Sequence, residues 1–340
     1  MVLDRLDHPI VQAPMGGGPS TPALAAAVAE AGGLGFLAAG YKTVEAVRAD
    51  VEALRALTSR PFGVNLFAPP SEVADDVGAF AALLEAEAER YGAPVGEPRH
   101  DDDGWEAKLA LMAELEVPVV SFTFGCPSAS VLSRLGETWV TVTTAAEARA
   151  AAAAGADALV VQGVEAGGHR ATFDDAAPGE VGLLALLQLV RAAVDLPLVA
   201  TGGIATGQGV AAVLAAGASA AALGTAFMLC DEAATAPAHR EAIADDGETA
   251  LTRAFTGRSA RGVVNRWMRE HGPGAPSAYP DVHHLTAKIR AAAREQGDRD
   301  GFHLWAGQAH SLARTGPAGE LVRDLAAETR DALRSAAERL

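Results

Sequence analysis

Short apolar runs alternate with longer alanine-rich segments along residues 10–223, and this alternation restricts the possible folds more than any other feature. Eight runs have the length and composition of β-strands, at residues 10–15, 34–39, 61–67, 117–124, 138–143, 156–162, 196–200 and 218–223. Strands that alternate with helices form a parallel sheet, which is either closed into a barrel or open and doubly wound. The number of strands favours an α/β fold built as a parallel (β/α)8 barrel of the TIM type.

Helices are predicted between these strands at residues 21–31, 43–57, 144–154, 181–194 and 206–216. Several of them begin at a threonine, whose side chain can accept a hydrogen bond from a free backbone N–H of the first turn. Several end near a glycine, such as Gly32, Gly155 or Gly217, because glycine readily takes the left-handed conformation that terminates a helix. The boundaries therefore support the alternation of strands and helices.

Three parts of the chain are expected to differ in role. Residues 1–230 form the barrel; within them, residues 71–116 add helix and loop, with a solvated charged run at 99–103 that carries no chemistry. Residues 231–299 are rich in charge, proline and histidine without a clear period, and are expected to form a smaller inserted lid or substrate domain. Residues 300–340 contain GFHLWAGQ from Gly301 onward, end in a charged helix, and are expected to return to the barrel.

Charge and cysteine content exclude several classes of protein. The formal net charge of −16 would repel phosphodiester backbones and anionic lipid headgroups. Residues 196–230 carry no charge, but Pro197 and several glycines interrupt them, so we expect a buried strand–helix–strand unit rather than a membrane span. Cys126 and Cys230 form no CxxC, and the amino terminus is charged. We expect a cytoplasmic protein with no nucleic-acid or membrane partner.

Unusual polar residues follow the predicted strands, at the carboxyl ends where such barrels place their active sites. Asn65 and Gln162 are amides in apolar strand ends, where an unpaired polar group costs about 1–3 kcal/mol. Each therefore bonds either to neighbouring backbone or to a ligand. His169 lies seven residues beyond Gln162, after a glycine pair in a predicted loop. It could act as a base near neutral pH or, when protonated, stabilise an anionic ligand.

Two pairs of residues predict a phosphate site. Gly202 and Gly203 precede a predicted helix, and Gly224 and Thr225 follow the last predicted strand. Barrels often bind phosphate after strands seven and eight, where glycine lets backbone N–H groups approach the oxygens closely. The two pairs together therefore indicate a phosphorylated ligand.

Other templates do not match. The sequence contains no P-loop, no G-x-S-x-G nucleophile elbow and no HExxH metal helix. GQGVAA at residues 207–212 fits a permissive dinucleotide fingerprint, but no suitable acidic residue follows about 20 residues later. His283 and His284 are adjacent, which suits no common zinc spacing, and they are expected at the surface or in the lid. No metal site is predicted.

Several strings of the sequence become recognisable together. They are PIVQAPMGGGPSTPALAAAVAEAGGLGFLAAGYK near the amino terminus, FGVNLF, VQGVEAGGHR, LPLVATGGIATG and LGTAFM, followed by GRSARGVVNRWM and LWAGQ. With them the chain resembles the nitronate monooxygenase family, formerly called 2-nitropropane dioxygenases. The resemblance implies FMN without a tightly bound metal, and His169 in the EAGGH loop as the catalytic histidine. The FMN contacts that it implies are Ala13, Met15, Asn65, Gln162, Gly167, Gly203, Gly224 and Thr225, with Lys42, Trp305 and Gln308 as weaker correspondences.

The resemblance also implies a reaction, in which dioxygen oxidises an alkyl nitronate such as propionate 3-nitronate to a carbonyl compound and nitrite. The partners are then a small anionic substrate and dioxygen, and the protein is expected to be a monomer or homodimer. Other activities stay open: an FMN-dependent NAD(P)H:quinone or enoyl-thioester reductase, a lyase or isomerase, or a non-redox barrel that binds FMN or a phosphorylated metabolite. Three glycines, Gly16 to Gly18, replace the single small residue of the family pattern and could alter the pocket.

Overall fold

The computed structural model of the chain describes residues 1–69 and 75–340. The strands are β1 (Ile10–Gln12), β2 (Leu34–Ala38), β3 (Gly63–Phe67), β4 (Val119–Thr123), β5 (Glu137–Val142), β6 (Ala158–Gln162), β7 (Gly168–His169), β8 (Leu198–Thr201), β9 (Ala220–Leu223), β10 (Thr249–Thr252) and β11 (Ala260–Val263). Eight of them, β1–β6 with β8 and β9, close into a barrel of parallel pairs. The predicted parallel (β/α)8 barrel is confirmed, and each of the eight predicted runs overlaps one barrel strand.

Helices separate the strands as the sequence predicts. They are α1 (Pro22–Glu30), α2 (Val44–Leu57), α3 (Gly78–Leu83), α4 (Glu85–Tyr91), α5 (Trp105–Glu114), α6 (Ala129–Leu132), α7 (Ala145–Ala154), α8 (Leu183–Ala193), α9 (Gly207–Ala215), α10 (Pro237–Ala244), α11 (Arg266–His271), α12 (Asp281–Glu295) and α13 (Ala318–Ala337). The side chains of Thr21, Thr43, Thr144 and Thr206 accept backbone N–H bonds of 3.0–3.2 Å at the starts of α1, α2, α7 and α9. The three glycines expected at helix ends take φ values of 89–95°.

Large apolar side chains fill the interior of the barrel. The rings of Phe36 and Trp139 lie 5.4 Å apart and pack with Val119 and Val199. Residues 196–230 contain β8, α9 and β9, so this uncharged stretch is the strand–helix–strand unit that the sequence predicts. Among the helices that the structure describes, none has both the length and the apolar character needed to cross a membrane.

The last helix lies against the outside of the barrel. α13 packs on α1 and α9. At its contact with α9, the backbone N–H of Gly207 donates to Glu328 Oε2 at 2.9 Å, and Thr329 Oγ1 donates to the Gly207 carbonyl at 3.2 Å. The first bond satisfies the Gly207 N–H, which has no earlier turn of α9 to bond with, and the second holds α13 against the same residue.

A second apolar core covers the carboxyl ends of the barrel strands. We call its elements the cap: α3, α4, α10, α11, α12 and the antiparallel sheet β10–β11–β7. Phe255, Trp267 and Ile289 are fully buried in it. Glu87 of α4 accepts two hydrogen bonds from Arg266 of α11, at 2.6 and 2.7 Å, so a buried ion pair ties the two parts of the cap together.

No regular period was detected in the sequence of residues 231–299, yet these residues contain three helices and two strands. β10 and β11 have four residues each and α11 has six, which is too short for a hydrophobic period to stand out. The segment predicted as additional helix and loop at 71–116 contains α3, α4 and α5, and its first residues, 71–74, lie outside the described residues.

The charged run at 99–103 is not simply solvated, and that expectation was wrong. The carboxylate of Asp103 lies 2.7 Å from Nζ of Lys108, whose side chain is only 3% exposed. Asp103 also accepts a hydrogen bond from the backbone N–H of Tyr41 at 2.9 Å, and Lys108 donates to the Ala39 carbonyl at 3.0 Å. A buried ammonium needs an opposite charge, so this end of the run fixes the loop after β2.

Replacing Asp103 with alanine is expected to lower the free energy of unfolding by about 3–5 kcal/mol, because Lys108 would stay buried without its partner. Urea denaturation followed by circular dichroism would measure the change. The double variant Asp103→Ala/Lys108→Met, which removes both charges, should recover much of the loss. If Asp103→Ala is as stable as the wild type, water must solvate the Lys108 ammonium in place of the carboxylate.

Candidate active site

A cavity of about 410 Å³ lies between the carboxyl ends of the barrel strands and the cap. Its volume is in the range of pockets that hold organic cofactors and small ligands. The predicted site residues line it together: Ala13, Met15, Asn65, Gln162, Gly167, His169, Gly202, Gly203, Gly224 and Thr225. Trp305 also lines it. Lys42 and Gln308 do not, since Lys42 pairs with Asp50 at 2.5 Å and the Gln308 side chain is exposed.

The loop after β8 has the conformation of an anion-binding turn. Gly202 and Gly203 take φ values of 122° and 67°, which favour glycine. The backbone amides of Gly203 and Ile204 donate to no acceptor in residues 1–69 and 75–340. A β-carbon at residue 203 would lie 2.9 Å from Cβ of Glu165. Since unpaired amides beside a cavity need a ligand or water, this turn fits an anionic group such as phosphate.

The loop after β9 lies beside the first loop of the barrel. A β-carbon at Gly224 would make ordinary contacts with Ala13 and Met15, at 3.8–3.9 Å. Thr225 Oγ1 accepts a hydrogen bond from the Gly307 amide at 3.0 Å. Both pairs of residues that predict a phosphate site border one cavity.

Asn65 and Gln162 have partners within the protein. Asn65 Nδ2 donates to Ser121 Oγ at 2.9 Å and to Thr123 Oγ1 at 3.0 Å. Gln162 Nε2 donates to the His169 carbonyl at 3.0 Å, and its Oε1 accepts from the Ala171 amide at 2.9 Å. Of the two alternatives left open by the sequence, bonding to neighbouring groups is realised for both amides. Gln162 thereby fixes the segment that carries His169.

His169 lies in the short strand β7 and not in a loop, so that part of the prediction was wrong. Its Cα partner in the antiparallel pair is Ala260 of β11, which belongs to the cap. The pairing involves residues about ninety positions apart, so no local pattern could predict it. His169 Nε2 lies 2.9 Å from Thr256 Oγ1, and that hydroxyl donates to the Arg258 carbonyl at 3.3 Å. A hydroxyl has one proton, so Nε2 is the donor to Oγ1 and Nδ1 carries the lone pair.

The surroundings of His169 favour its neutral form. Burial, followed by the positive charges of Arg258 and Arg290, lowers the pKa of His169 to about 3. At neutral pH the imidazole is therefore uncharged and able to accept a proton. A base requires the neutral form that this environment favours, whereas binding an anion through a protonated ring requires the form that it disfavours.

Aromatic rings enclose the histidine. The rings of Phe124, Trp305 and Tyr279 lie 5.5, 5.6 and 6.1 Å from that of His169. Phe124 takes a φ of 78°, an unusual value for a residue with a side chain, and the guanidinium of Arg258 lies 4.2 Å from its ring centroid. The enclosure limits the access of water to the reacting atoms.

The contribution of α12 to the cavity was not predicted from the sequence. His283, Ala287, Arg290 and Arg294 line the cavity along one side of this helix. His283 stacks on Tyr41 with ring centroids 4.1 Å apart, so the expected surface or lid position is refined to a lid residue that faces the site. These positions recur every three or four residues, a signal that was present in the sequence.

Comparisons with known proteins agree with this geometry. A profile of the family described as Nitronate monooxygenase matches residues 2–328. A relative from Pseudomonas aeruginosa, named nitronate monooxygenase, is 42% identical over 96% of this chain and 97% of its own. A structure of nitroalkane oxidase from Streptomyces ansochromogenes superimposes with a TM-score of 0.96 at 55% identity, covering 98% of this chain and 99% of that chain. FabK from Thermotoga maritima is more distant, with a TM-score of 0.76 at 26% identity over 100% of this chain and 97% of that chain. Because the family profile and the relatives span almost the whole chain, the protein belongs to the nitronate monooxygenase family of oxidoreductases.

Proposed function

We propose that the protein uses FMN and dioxygen to oxidise alkyl nitronates, such as propionate 3-nitronate, to a carbonyl compound and nitrite. The observation that carries the proposal is that one cavity joins a glycine turn with two unpaired amides to a neutral, enclosed His169. Membership of the family supports the reaction class. The nitroalkane oxidase likeness supports a nitro compound or its anion as the substrate.

The chain has groups suited to each part of FMN. The amides of Gly203 and Ile204, with Gly224 and Thr225 opposite, would hold the phosphate. Ala13, Met15 and Gly167 would border the ring, and Asn65 and Gln162 would face its polar edge. The flavin would supply the oxidation and reduction, which no side chain of this cavity can perform.

The protein's own residues would bind the substrate, exclude water and move a proton. A nitronate is already an anion, so its carbon needs no deprotonation. A neutral nitroalkane must lose a proton from the carbon next to nitrogen, and Nδ1 of neutral His169 would accept it. The surrounding rings would keep the reacting carbon dry.

Anaerobic spectroscopy tests the proposal. The purified protein is expected to absorb as an oxidised flavin, to lose that absorbance when mixed with propionate 3-nitronate, and to release nitrite when air is admitted. FMN should be identified in the cofactor released by heat, by mass spectrometry. A parallel cell receives NADH or NADPH. Loss of absorbance with the nicotinamide and none with the nitronate would favour the reductase alternative, whereas a protein that binds no flavin would favour a non-redox barrel.

A further inference from the structure

The cavity contains more positive charge than the chemistry at His169 uses. Arg290 of α12 is 5% exposed, and Arg294 lies one helical turn further along at the edge of the cavity. Within residues 1–69 and 75–340, no carboxylate forms an ion pair with either guanidinium. The groups that contact Arg290 are neutral: Thr286 Oγ1 at 2.9 Å, His303 Nδ1 at 2.9 Å and His283 Nδ1 at 3.1 Å.

The two arginines compete for one histidine. Arg290 approaches His303 Nδ1, while Arg294 approaches Nε2 of the same ring at 3.4 Å. Burial and the nearby guanidinium groups hold the pKa of His303 well below its ordinary value, so the ring is neutral and has a single acceptor nitrogen. Only one guanidinium can therefore donate to it. Neither guanidinium has a carboxylate partner among the described residues, and a desolvated cation without a counter-charge is unfavourable, which marks this place as a site for an anion.

The position of the arginines relates them to the substrate. The ring of Trp305 lies 5.0 Å from that of His303 and 5.6 Å from that of His169. The rings of His303 and Trp305 therefore connect the arginines to His169 along the wall of the same cavity. We propose that Arg290 and Arg294 form a second anion subsite, which binds a carboxylate at the far end of a nitronate substrate and so selects dianionic nitronates. The inference rests on the proposed nitronate oxidation.

The subsite also accounts for how an anion reaches the cavity of a protein with a net charge of −16. A local cluster of positive charge in a cleft attracts anions even when the whole molecule is acidic. Guanidinium groups bind carboxylates through paired hydrogen bonds, and a carboxylate is the second anionic group of a nitronate such as propionate 3-nitronate.

Two nitronates of equal length test the selectivity. Propionate 3-nitronate carries a carboxylate where propyl-1-nitronate carries a methyl group. Wild-type protein should have the higher kcat/KM for the dianion. Arg290→Gln and Arg294→Gln should each lower the ratio of the two kcat/KM values about tenfold or more, as expected for lost charge-assisted hydrogen bonds. Lys288→Gln removes a charge from the exposed side of the same helix and should leave the ratio unchanged. If Arg290→Gln does not fold, the ratio is measured with Arg294→Gln alone, since Arg294 lies at the edge of the cavity.

A binding measurement separates this proposal from the proposed function. Succinate and butyrate are unreactive analogues of the two nitronates, with a carboxylate in place of the nitronate. Calorimetry on the holoenzyme should show tighter binding of succinate, and this preference should be lost in Arg290→Gln. Failure to oxidise either nitronate would contradict the proposed function but leave this test in place. Three results would overturn the proposed subsite. The wild type could bind succinate and butyrate equally, or Arg290→Gln could lose activity on both nitronates to the same extent. Arg290→Gln could also lose FMN, which would assign the arginines to the flavin phosphate.

Discussion

Gly203→Val protein is expected to purify without flavin, with an affinity for FMN at least about 100-fold weaker than that of the wild type. Gly203 takes a φ of 67°, which costs a β-branched residue about 1–3 kcal/mol. Its new β-carbon would lie 2.9 Å from Cβ of Glu165. Glu165 cannot easily move away, because its two carboxylate oxygens share one bifurcated hydrogen bond from the N–H of Leu183, at 2.9 and 3.1 Å. The valine methyl groups would also crowd the unpaired amides that are proposed to hold the phosphate.

The ratio of flavin to protein absorbance, followed by titration of the apoprotein with FMN, measures this effect. Gly155→Val is the matched control, because Gly155 at the end of α7 has a φ of 94° and a β-carbon there would meet no atom within 4 Å. It introduces similar backbone strain far from the cavity and should keep its flavin. Full flavin content in Gly203→Val would mean that the phosphate binds elsewhere.

His169→Ala and His169→Asn are expected to retain FMN and to lose turnover of neutral nitroalkanes by about 10²–10⁴-fold, the usual contribution of a positioned base. Asparagine can preserve a hydrogen bond to Thr256 but cannot accept the proton. Turnover of the preformed nitronate should fall less, because that substrate needs no base. Steady-state rates of nitrite release with nitroethane and with ethyl nitronate measure the two losses.

The pH dependence gives an independent check on His169. Its pKa of about 3 lies below the ordinary value, so the neutral base persists as pH falls and is lost only near the lowered pKa. The kcat/KM for a neutral nitroalkane should therefore show no acid limb between about pH 5 and 7 that can be ascribed to a histidine. His100→Ala, which changes an exposed histidine outside the cavity, is the control variant. Equal losses on both substrates, or an acid limb near the ordinary histidine pKa, would contradict the role of base.

The barrel was predictable because its signals are local. A buried parallel strand is a short apolar run, and a threonine or glycine at a helix end acts within one turn, as Thr144 and Gly155 do. The glycine turn after β8 could be found for the same reason, since Gly202 and Gly203 lie at a fixed place relative to a strand and a helix. The choice of FMN and the expectation of a monomer or homodimer stay predictions.

The features that could not be predicted from the sequence depend on contacts between distant residues. Asp103 looked solvated because the Tyr41 amide and the Ala39 carbonyl, which bond to Asp103 and Lys108, are brought to them only by the fold. Arg290 was one charge in a segment without a clear period, and only the folded chain turns it towards a cavity in which neither arginine of α12 meets a carboxylate of the described residues. Charge and burial of single side chains are properties of the tertiary structure, which composition and period do not encode.

The pairing of β7 with β11 has a consequence for how this architecture can be altered. The backbone of His169 and Gly168 pairs with Ala260 and Arg261 of β11. Exchanging residues 231–299 between relatives to obtain a new substrate range would therefore also change the frame in which His169 sits. Recombination between two relatives would succeed only if the crossover points leave β7 and β11 from the same parent, so that their register is preserved. These two segments therefore have to be inherited together.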